Sequence, residues 1–137
     1  MTGSSKTTAV SGAPRVLLRL ESLAALAGAI GAYSALHGGW PLFALLFLAP
    51  DLSMLGYLAG ARIGAACYNS AHSHLGPAVL VVLGLMAHTH LPLEIACIWA
   101  AHVGFDRMLG YGLKYGTSFG ETHLGRVGGR RTAEAGA

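Results

Sequence analysis

The chain has 137 residues, of which 53% are hydrophobic and only 11% are charged. Soluble domains carry about 25% charged residues, so this sequence has too little charge to cover a soluble surface, and its mean hydropathy of +0.54 agrees. The net charge of +3 does not indicate a nucleic-acid partner, because the nine Lys and Arg residues stand near the ends of apolar segments without an interleaved aromatic patch.

The composition indicates an integral membrane protein built as one domain. Four apolar stretches follow one another, and each is close to the roughly 20 residues that a helix needs to cross a bilayer. They run from about residues 16 to 36, 40 to 60, 63 to 87 and 91 to 111. Because the connections are very short, neighbouring helices must run antiparallel. The predicted fold is therefore all-α, a polytopic membrane protein with four transmembrane helices in an antiparallel bundle.

The chain divides into three predicted parts. Residues 1–15 are small and polar and are predicted to form a disordered tail. Residues 16–115 form the four-helix transmembrane domain, and residues 116–137 form a cytoplasmic tail rich in Gly and Arg. The first apolar run lacks a clear cleavage site, so we interpret it as a retained transmembrane helix rather than a signal peptide.

The basic residues predict the orientation of the helices. Cytoplasmic loops of membrane proteins carry an excess of Lys and Arg. All nine basic residues lie before or at the start of the first span, in the second connection, or at and beyond the end of the fourth span: Lys6, Arg15, Arg19, Arg62, Arg107, Lys114, Arg126, Arg130 and Arg131. The first and third connections contain none. Both termini are therefore predicted to lie in the cytoplasm.

Prolines interrupt two of the predicted helices. Pro50 lies inside the second span, and Gly76-Pro77 lies inside the third. Proline removes a backbone donor and clashes with the preceding turn, so a kink is predicted at Pro50 and a kink or break at Gly76-Pro77. Within a bilayer such breaks persist where the freed carbonyls are buried in protein or face a wet cavity.

Polar side chains occupy the half of each span that faces the cytoplasm. The set comprises Glu21, Asp51, Asn69, His72, His102 and Asp106. His102 and Asp106 are i, i+4 and therefore share a helix face. Ionisable residues within a membrane point inward and pair with one another. Asp51 is therefore predicted to meet His72, His102 or Arg62 in a polar cluster between the helices.

The chemistry of this cluster is that of a metal site or an acid–base site. Carboxylates and imidazoles are ligands for a divalent ion such as Zn, Mn or Fe. The predicted metal ligands are Asp51, His72, His102 and Asp106. The same four residues, together with Glu21 and with His123 folding back from the tail, are the predicted catalytic groups. A structural network, in which His bonds to Asp across helices without an ion, is the alternative that the residues leave open.

Four segments of the chain resemble a known family. They are LLRLESLAAL, LFLAPDLSMLGYLAG, RIGAACYNSAHSH and AHVGFDRMLGYGLKYGTSFGETHLGRVG. In order and content they are similar to domain-of-unknown-function family 4260, a group of small bacterial membrane proteins, over about residues 16 to 128. The resemblance implies a four-span protein of the bacterial inner (plasma) membrane and brings no assigned activity with it.

Three functions fit the sequence. The first is a membrane-embedded enzyme, with or without a metal, that acts on a lipophilic or amphiphilic small molecule, because histidine beside carboxylate suits proton transfer near neutral pH. The second is a small proton-linked transporter, although the sequence has no internal repeat and its outer half-spans are almost purely apolar. The third is a structural or accessory membrane subunit. The expected partners are the lipid bilayer and, for so thin a core, a second copy forming a homodimer.

Overall fold

The computed structural model describes residues 12–113 and the backbone of residues 121–122 and 125–126. The elements in chain order are α1 (Ala13–Ala35), α2 (Trp40–Phe47), a 3₁₀ helix (Ala49–Ala59), α3 (Ala61–Ala71), α4 (Leu75–Ala87), α5 (His90–Leu109), β1 (Glu121–Thr122) and β2 (Gly125–Arg126). The two short strands pair antiparallel, with Glu121 opposite Arg126. The predicted N-terminal tail before residue 12, Lys114 and His123 lie outside the described residues.

Within residues 12–113, two helical units are long and apolar enough to cross a membrane. They are α1 and the unit Trp40–Ala59, which α2 and the 3₁₀ helix form together. A third candidate consists of α3 and α4, which are bent by 41° at a short break. The helix α5 contains Glu94, Asp106 and Arg107 and is not among these candidates. The helical fold is therefore confirmed, with two to three candidate membrane spans in the part of the chain that the structure describes, and the four-span antiparallel bundle stays a prediction.

The outer surface of the helices is strongly apolar. Leu45, Leu58 and Met86 are 76%, 88% and 75% exposed, and large apolar side chains are exposed along every helix. Soluble monomers rarely expose continuous apolar patches larger than a few hundred Å². Such a surface fits the hydrocarbon interior of a bilayer, where it contacts lipid chains and not water.

The helix α5 is the centre of the packing. It contacts α1, α2 and α4, while the 3₁₀ helix packs on α3. Arg19 on α1 donates through Nε to the carbonyl of Met108 at 2.7 Å, so the start of α1 lies beside the end of α5. A Cβ atom on Gly104 would lie 3.0 Å from the backbone of Ser22 and of Leu26. Glycine at this position therefore permits the close approach of α1 and α5.

Both predicted proline sites adjoin a break in the helices. Pro50 lies in the first turn of the 3₁₀ helix, directly after the end of α2. Pro77 is buried in the first turn of α4, and the break falls just before it, between Ala71 and Leu75. The first turn of a helix needs no internal N–H donor, so proline is tolerated there and not in the interior. In both places a new helix begins just before the proline, so the proline lies in the first turn of that helix and not at a kink in its interior.

Candidate metal centre

Four of the predicted residues converge from three elements. Asp51 lies near the start of the 3₁₀ helix, His72 follows the last residue of α3, and His102 and Asp106 lie one turn apart on α5. The side chains of His72 and His102 are 3% and 1% exposed, and that of Asp106 is 16% exposed. Asp51 is the most accessible member, at 37%. We call these four residues the His/Asp centre.

Five of the six separations between the ligand atoms of the His/Asp centre are nearly equal. His72 Nε2 is 3.3 Å from Asp51 Oδ1 and 3.3 Å from Asp106 Oδ2. His102 Nε2 is 3.4 Å from each of the same two oxygens. The two Nε2 atoms are 3.1 Å apart. One ligand atom from each residue can be chosen so that all four lie within 4.8 Å of one another.

Five of these distances match the edges of a tetrahedral coordination shell. The edge of a regular tetrahedron is about 1.6 times the distance from its centre to a vertex, so Zn–N and Zn–O bonds of about 2.0–2.1 Å give ligand separations of about 3.3–3.4 Å. Five separations fall between 3.1 and 3.4 Å, and the sixth, between the two carboxylates, is bounded at 4.8 Å. The donor set of two imidazoles and two carboxylates suits Zn²⁺ and, with added ligands, Mn²⁺ or Fe²⁺.

The orientation of His72 is set by its own helix. Its Nδ1 donates to the carbonyl of Tyr68 at 2.9 Å, and the Tyr68 ring stacks on the imidazole at a centroid distance of 3.7 Å. A neutral imidazole that donates through Nδ1 carries its lone pair on Nε2. Nε2 of His72 therefore presents a lone pair to the centre, as metal-binding histidines do when a backbone carbonyl holds the other nitrogen.

His102 reaches the same point from α5. Its ring meets the edge of His72 and of Phe47 at centroid distances of 5.1 and 5.3 Å. Its Nδ1 is buried and has no hydrogen-bond partner among residues 12–113. Nε2 is therefore its only nitrogen with partners in the described structure, and all of these partners are the other three ligand atoms.

The two carboxylates of this arrangement carry negative charge that needs a partner. Protons on the histidines are one partner, because N–H groups on the Nε2 atoms would face carboxylate oxygens at 3.3–3.4 Å. Two such N–H groups would also lie 3.1 Å apart at their nitrogens. A divalent cation balances two carboxylates and accepts all four lone pairs at once. Because unpaired charges are expensive away from water, the His/Asp centre has the charge and geometry of a cation site.

Two further features border the His/Asp centre. Arg107 donates through Nη2 to the carbonyl of His72 at 3.3 Å, and its Nε is buried without a partner in the described residues. On another side lies an apolar groove of 270 Å³, whose lining includes Ala49, Pro50, Ser53, Ala71, Ile95 and Trp99. The indole N–H of Trp99 donates to the carbonyl of Ala71. The centre therefore has a cationic neighbour and an apolar one.

The remaining predicted site residues are placed differently. Glu21 is exposed on α1, where its neighbour Ser22 is buried instead, so the structure does not bring Glu21 into the centre. Arg62 is exposed, and Asn69 is half-buried. His123 lies outside the described residues.

Sequence reasoning missed two supporting residues, Tyr68 and Trp99. Tyr68 stands four residues before His72, and that spacing could have identified it, because residues i and i+4 meet on one helix face. Trp99 lies one turn before His102, and its indole N–H donates to the carbonyl of Ala71, the last residue of α3. Its role depends on how α3 and α5 cross, which no local pattern reports.

Comparison with known proteins places the chain in a family. A family model described as Domain of unknown function (DUF4260) matches residues 15–127, a range that contains the whole His/Asp centre and both helix breaks. No curated protein and no solved structure matches the chain. The resemblance drawn from the four sequence segments is confirmed, and the chain belongs to the DUF4260 family.

Proposed function

We propose that this protein is a membrane-embedded metalloprotein that holds a divalent ion, zinc in the first instance, at Asp51, His72, His102 and Asp106. We further propose that it uses the ion as an enzyme on an amphiphilic substrate. The observation that carries the proposal is the set of five ligand separations between 3.1 and 3.4 Å. These separations are close to those of four ligands around one zinc ion, which supports a metal site over a network of hydrogen bonds alone.

A four-span topology with both termini in the cytoplasm is part of the proposal. The helix α5 has 20 residues, about the number that spans a bilayer. Its charged residue Asp106 belongs to the His/Asp centre, and Arg107 donates to the backbone carbonyl of His72. Both charges have partners within the protein, so their burial costs less than that of an isolated charge. Contact of Arg19 with Met108 brings the basic ends of the first and fourth spans together. This arrangement supports a cytoplasmic location for that end of the molecule.

Asp51 is the ligand best suited to make the centre reactive. Structural zinc sites are closed by four protein ligands, whereas catalytic sites keep one position for water or substrate. Asp51 is the most exposed ligand and is carried by a 3₁₀ helix, whose hydrogen bonds are weaker than those of the α-helices that carry the others. Release of Asp51 would leave two histidines and Asp106 on the ion. Such an ion can activate water or polarise a carbonyl or phosphoryl group.

A metal carrier is the second candidate, and the four-ligand shell favours it. A closed shell binds an ion without offering a reactive position, which suits capture and release across the membrane. Zinc uptake into sealed liposomes containing the purified protein separates the two functions. Uptake above that of empty liposomes, lost in Asp106→Ala, supports the carrier, and its absence in zinc-binding protein supports the enzyme.

Elemental analysis of the purified protein is the first test. We expect about one zinc per chain in the wild type, with loss of the ion in His72→Ala and in the double variant Asp51→Ala/His102→Ala. His74→Ala and Glu21→Ala are the matched controls, because they remove a histidine and a carboxylate that lie outside the centre, and both should keep the ion. Each variant must elute as the wild type does on size exclusion. Equal metal content in all variants, or no metal in any of them, would contradict the proposal.

A further inference from the structure

The apolar groove beside the His/Asp centre is built from the elements that supply the ligands. Pro50 and Ala71 line the groove and directly precede Asp51 and His72 in the chain. Trp99, on the α5 wall, stands one turn before His102. The 3₁₀ helix, the end of α3 and the middle of α5 therefore border both the groove and the centre. None of the four ligands lines the groove, but two of its lining residues are their direct neighbours in the chain.

The walls of the groove offer no free polar group to a ligand. The hydroxyl of Ser53 donates to the carbonyl of Pro50 at 2.7 Å. The indole N–H of Trp99 is bonded to Ala71, and its ring packs against Gly76, where a Cβ atom would collide with it. The polar atoms of the walls are thus satisfied by the protein itself. A hydrocarbon chain meets such a surface without leaving a donor or acceptor unpaired.

A hydrocarbon chain alone would gain little by leaving the bilayer for the groove. Lipid tails are as apolar as the groove walls, so no hydrophobic driving force distinguishes the two. Preference must come from the polar end of the ligand. The open edge of the neighbouring centre is Asp51, the most exposed ligand, and Arg107 adds positive charge beside His72. An oxyanion head group matches a bound cation and this arginine.

We propose that the groove binds the hydrocarbon chain of a single-chain amphiphile whose oxyanion head, a carboxylate or a phosphate, reaches the ion at the Asp51 edge of the His/Asp centre. This inference rests on the proposed function, since the ion supplies the anchor for the head. The substrate class is a membrane-soluble fatty oxyanion. The walls around Trp99 are the part of the protein that selects the hydrocarbon chain.

Photolabelling in lipid nanodiscs tests the inference. The probe is a long-chain fatty acid with a diazirine near the end of its chain, and its methyl ester, which lacks the oxyanion, is the matched control probe. With the zinc-loaded protein, we expect labelling concentrated on residues 46–53 and 95–99, and several-fold weaker there with the ester. Labelling should fall several-fold in Ala49→Phe, which fills the groove. It should not fall in Ala44→Phe, which adds the same ring at an exposed site on α2 outside the lining.

The outcomes separate this inference from the proposed function because zinc content is measured in the same samples. If the zinc-loaded protein is labelled evenly over its exposed apolar faces, the groove does not bind the probe, and the inference is wrong. The zinc content would still support the metal centre. Concentrated labelling that the ester reproduces overturns the role of the head group. A groove covered instead by a second copy of the chain would exclude the probe and would yield dimers that Ala49→Phe dissociates, which also overturns the inference. Protein without zinc refutes the proposed function whatever the labelling.

Discussion

At the scale of single residues, the His/Asp centre depends on which nitrogen of each histidine faces it. His72 is fixed by its hydrogen bond to Tyr68, which leaves Nε2 for the centre. In the absence of an ion, the same geometry holds two carboxylates and a second Nε2 against that lone pair. The two carboxylates repel each other in the ion-free protein, and the proposed ion would remove that repulsion. The substitution of a carboxylate ligand should therefore have opposite effects on the stability of the metal-bound and the metal-free protein.

Removal of the metal should reveal this change of sign. A ligand present at about 100 times its Kd stabilises a protein by about 2.7 kcal/mol, so zinc should raise the melting temperature of the wild type by several degrees. We expect Asp51→Asn to lower the stability of the zinc-loaded protein. In protein treated with a chelator, the same substitution should be neutral or stabilising, because it removes one of two facing carboxylates. Thermal melts of both forms in detergent measure the difference.

The matched control for that experiment is Glu21→Gln, which removes a carboxylate exposed on α1. Its melting temperature should respond to zinc as the wild type does. If Asp51→Asn destabilised the ion-free and zinc-loaded proteins equally, Asp51 would be a hydrogen-bonding residue of the fold and not a metal ligand.

The sequence could predict the members of the centre because depth in the membrane follows from counting residues along each span. Asp51, His72, His102 and Asp106 lie at similar distances from the predicted cytoplasmic ends of their spans, and that suffices to propose that they meet. Glu21 lies at a comparable depth and nevertheless faces outward. Its direction depends on the rotation of α1, and the close contact of Ser22 with Gly104 decides that rotation. Helix rotation is a property of packing between distant segments, and local spacing carries no information on it.

At the scale of elements, the contact between α1 and α5 holds half of the ligands in place. Gly104 lies between His102 and Asp106 on α5, and the backbone of α1 passes directly over it. Small residues let helix backbones approach in a membrane, where packing replaces the hydrophobic effect as the source of stability. The side of α5 that packs on α1 therefore determines where its two ligands point.

Gly104→Ala should separate these helices. The new Cβ atom would lie 3.0 Å from Leu26 N and from Ser22 O, and backbone atoms cannot rotate away as a side chain can. Overpacking of this kind costs about 1–3 kcal/mol, so we expect a lower unfolding free energy in detergent titrations. Gly28→Ala on α1 is the control, because nothing lies within 4 Å of the added atom, and it should be neutral or mildly stabilising. Equal effects of the two substitutions would contradict the proposed contact.

The positions of the prolines predicted the helix breaks only in part. Pro50 marks the change from α2 to the 3₁₀ helix, but the sequence did not predict that the 3₁₀ form would continue to Ala59. Runs of 3₁₀ helix longer than three or four residues are uncommon. Packing on α3 supports this one, since a Cβ atom on Gly56 would lie 2.9 Å from Cys67. That support comes from a neighbouring helix, and a reading of residues 49–59 alone cannot include it.

At the scale of the whole molecule, the open question is whether α5 crosses the membrane. Length, apolarity and the basic residues favour four spans, whereas the three charges of α5 set it apart from the candidate spans. The packing against α1 and α4 places α5 inside the helical assembly. A helix surrounded by other helices can carry charges that a lipid-facing helix cannot. We therefore expect α5 to cross the membrane as the interior helix.

Reporter fusions in bacterial cells test this topology. A fluorescent protein that folds only in the cytoplasm should be fluorescent when fused after Arg62 or after Ala137. A phosphatase that is active only outside the cytoplasm should be active when fused after Gly39 or after Thr89. The pair of fusions after Thr89 and Ala137 decides the fate of α5, because it lies between them. If both reported the same side, α5 would not cross and the four-span topology would be wrong.

The distribution of the four ligands along the chain also has a consequence for biogenesis. The first ligand is Asp51 and the last is Asp106, and they belong to segments that enter the membrane one after another. Until α5 has docked beside α1, the nascent chain offers an ion only one carboxylate and one imidazole. Loading of the proposed ion would then be the last step of assembly, and it would join the three segments that carry the ligands to one another.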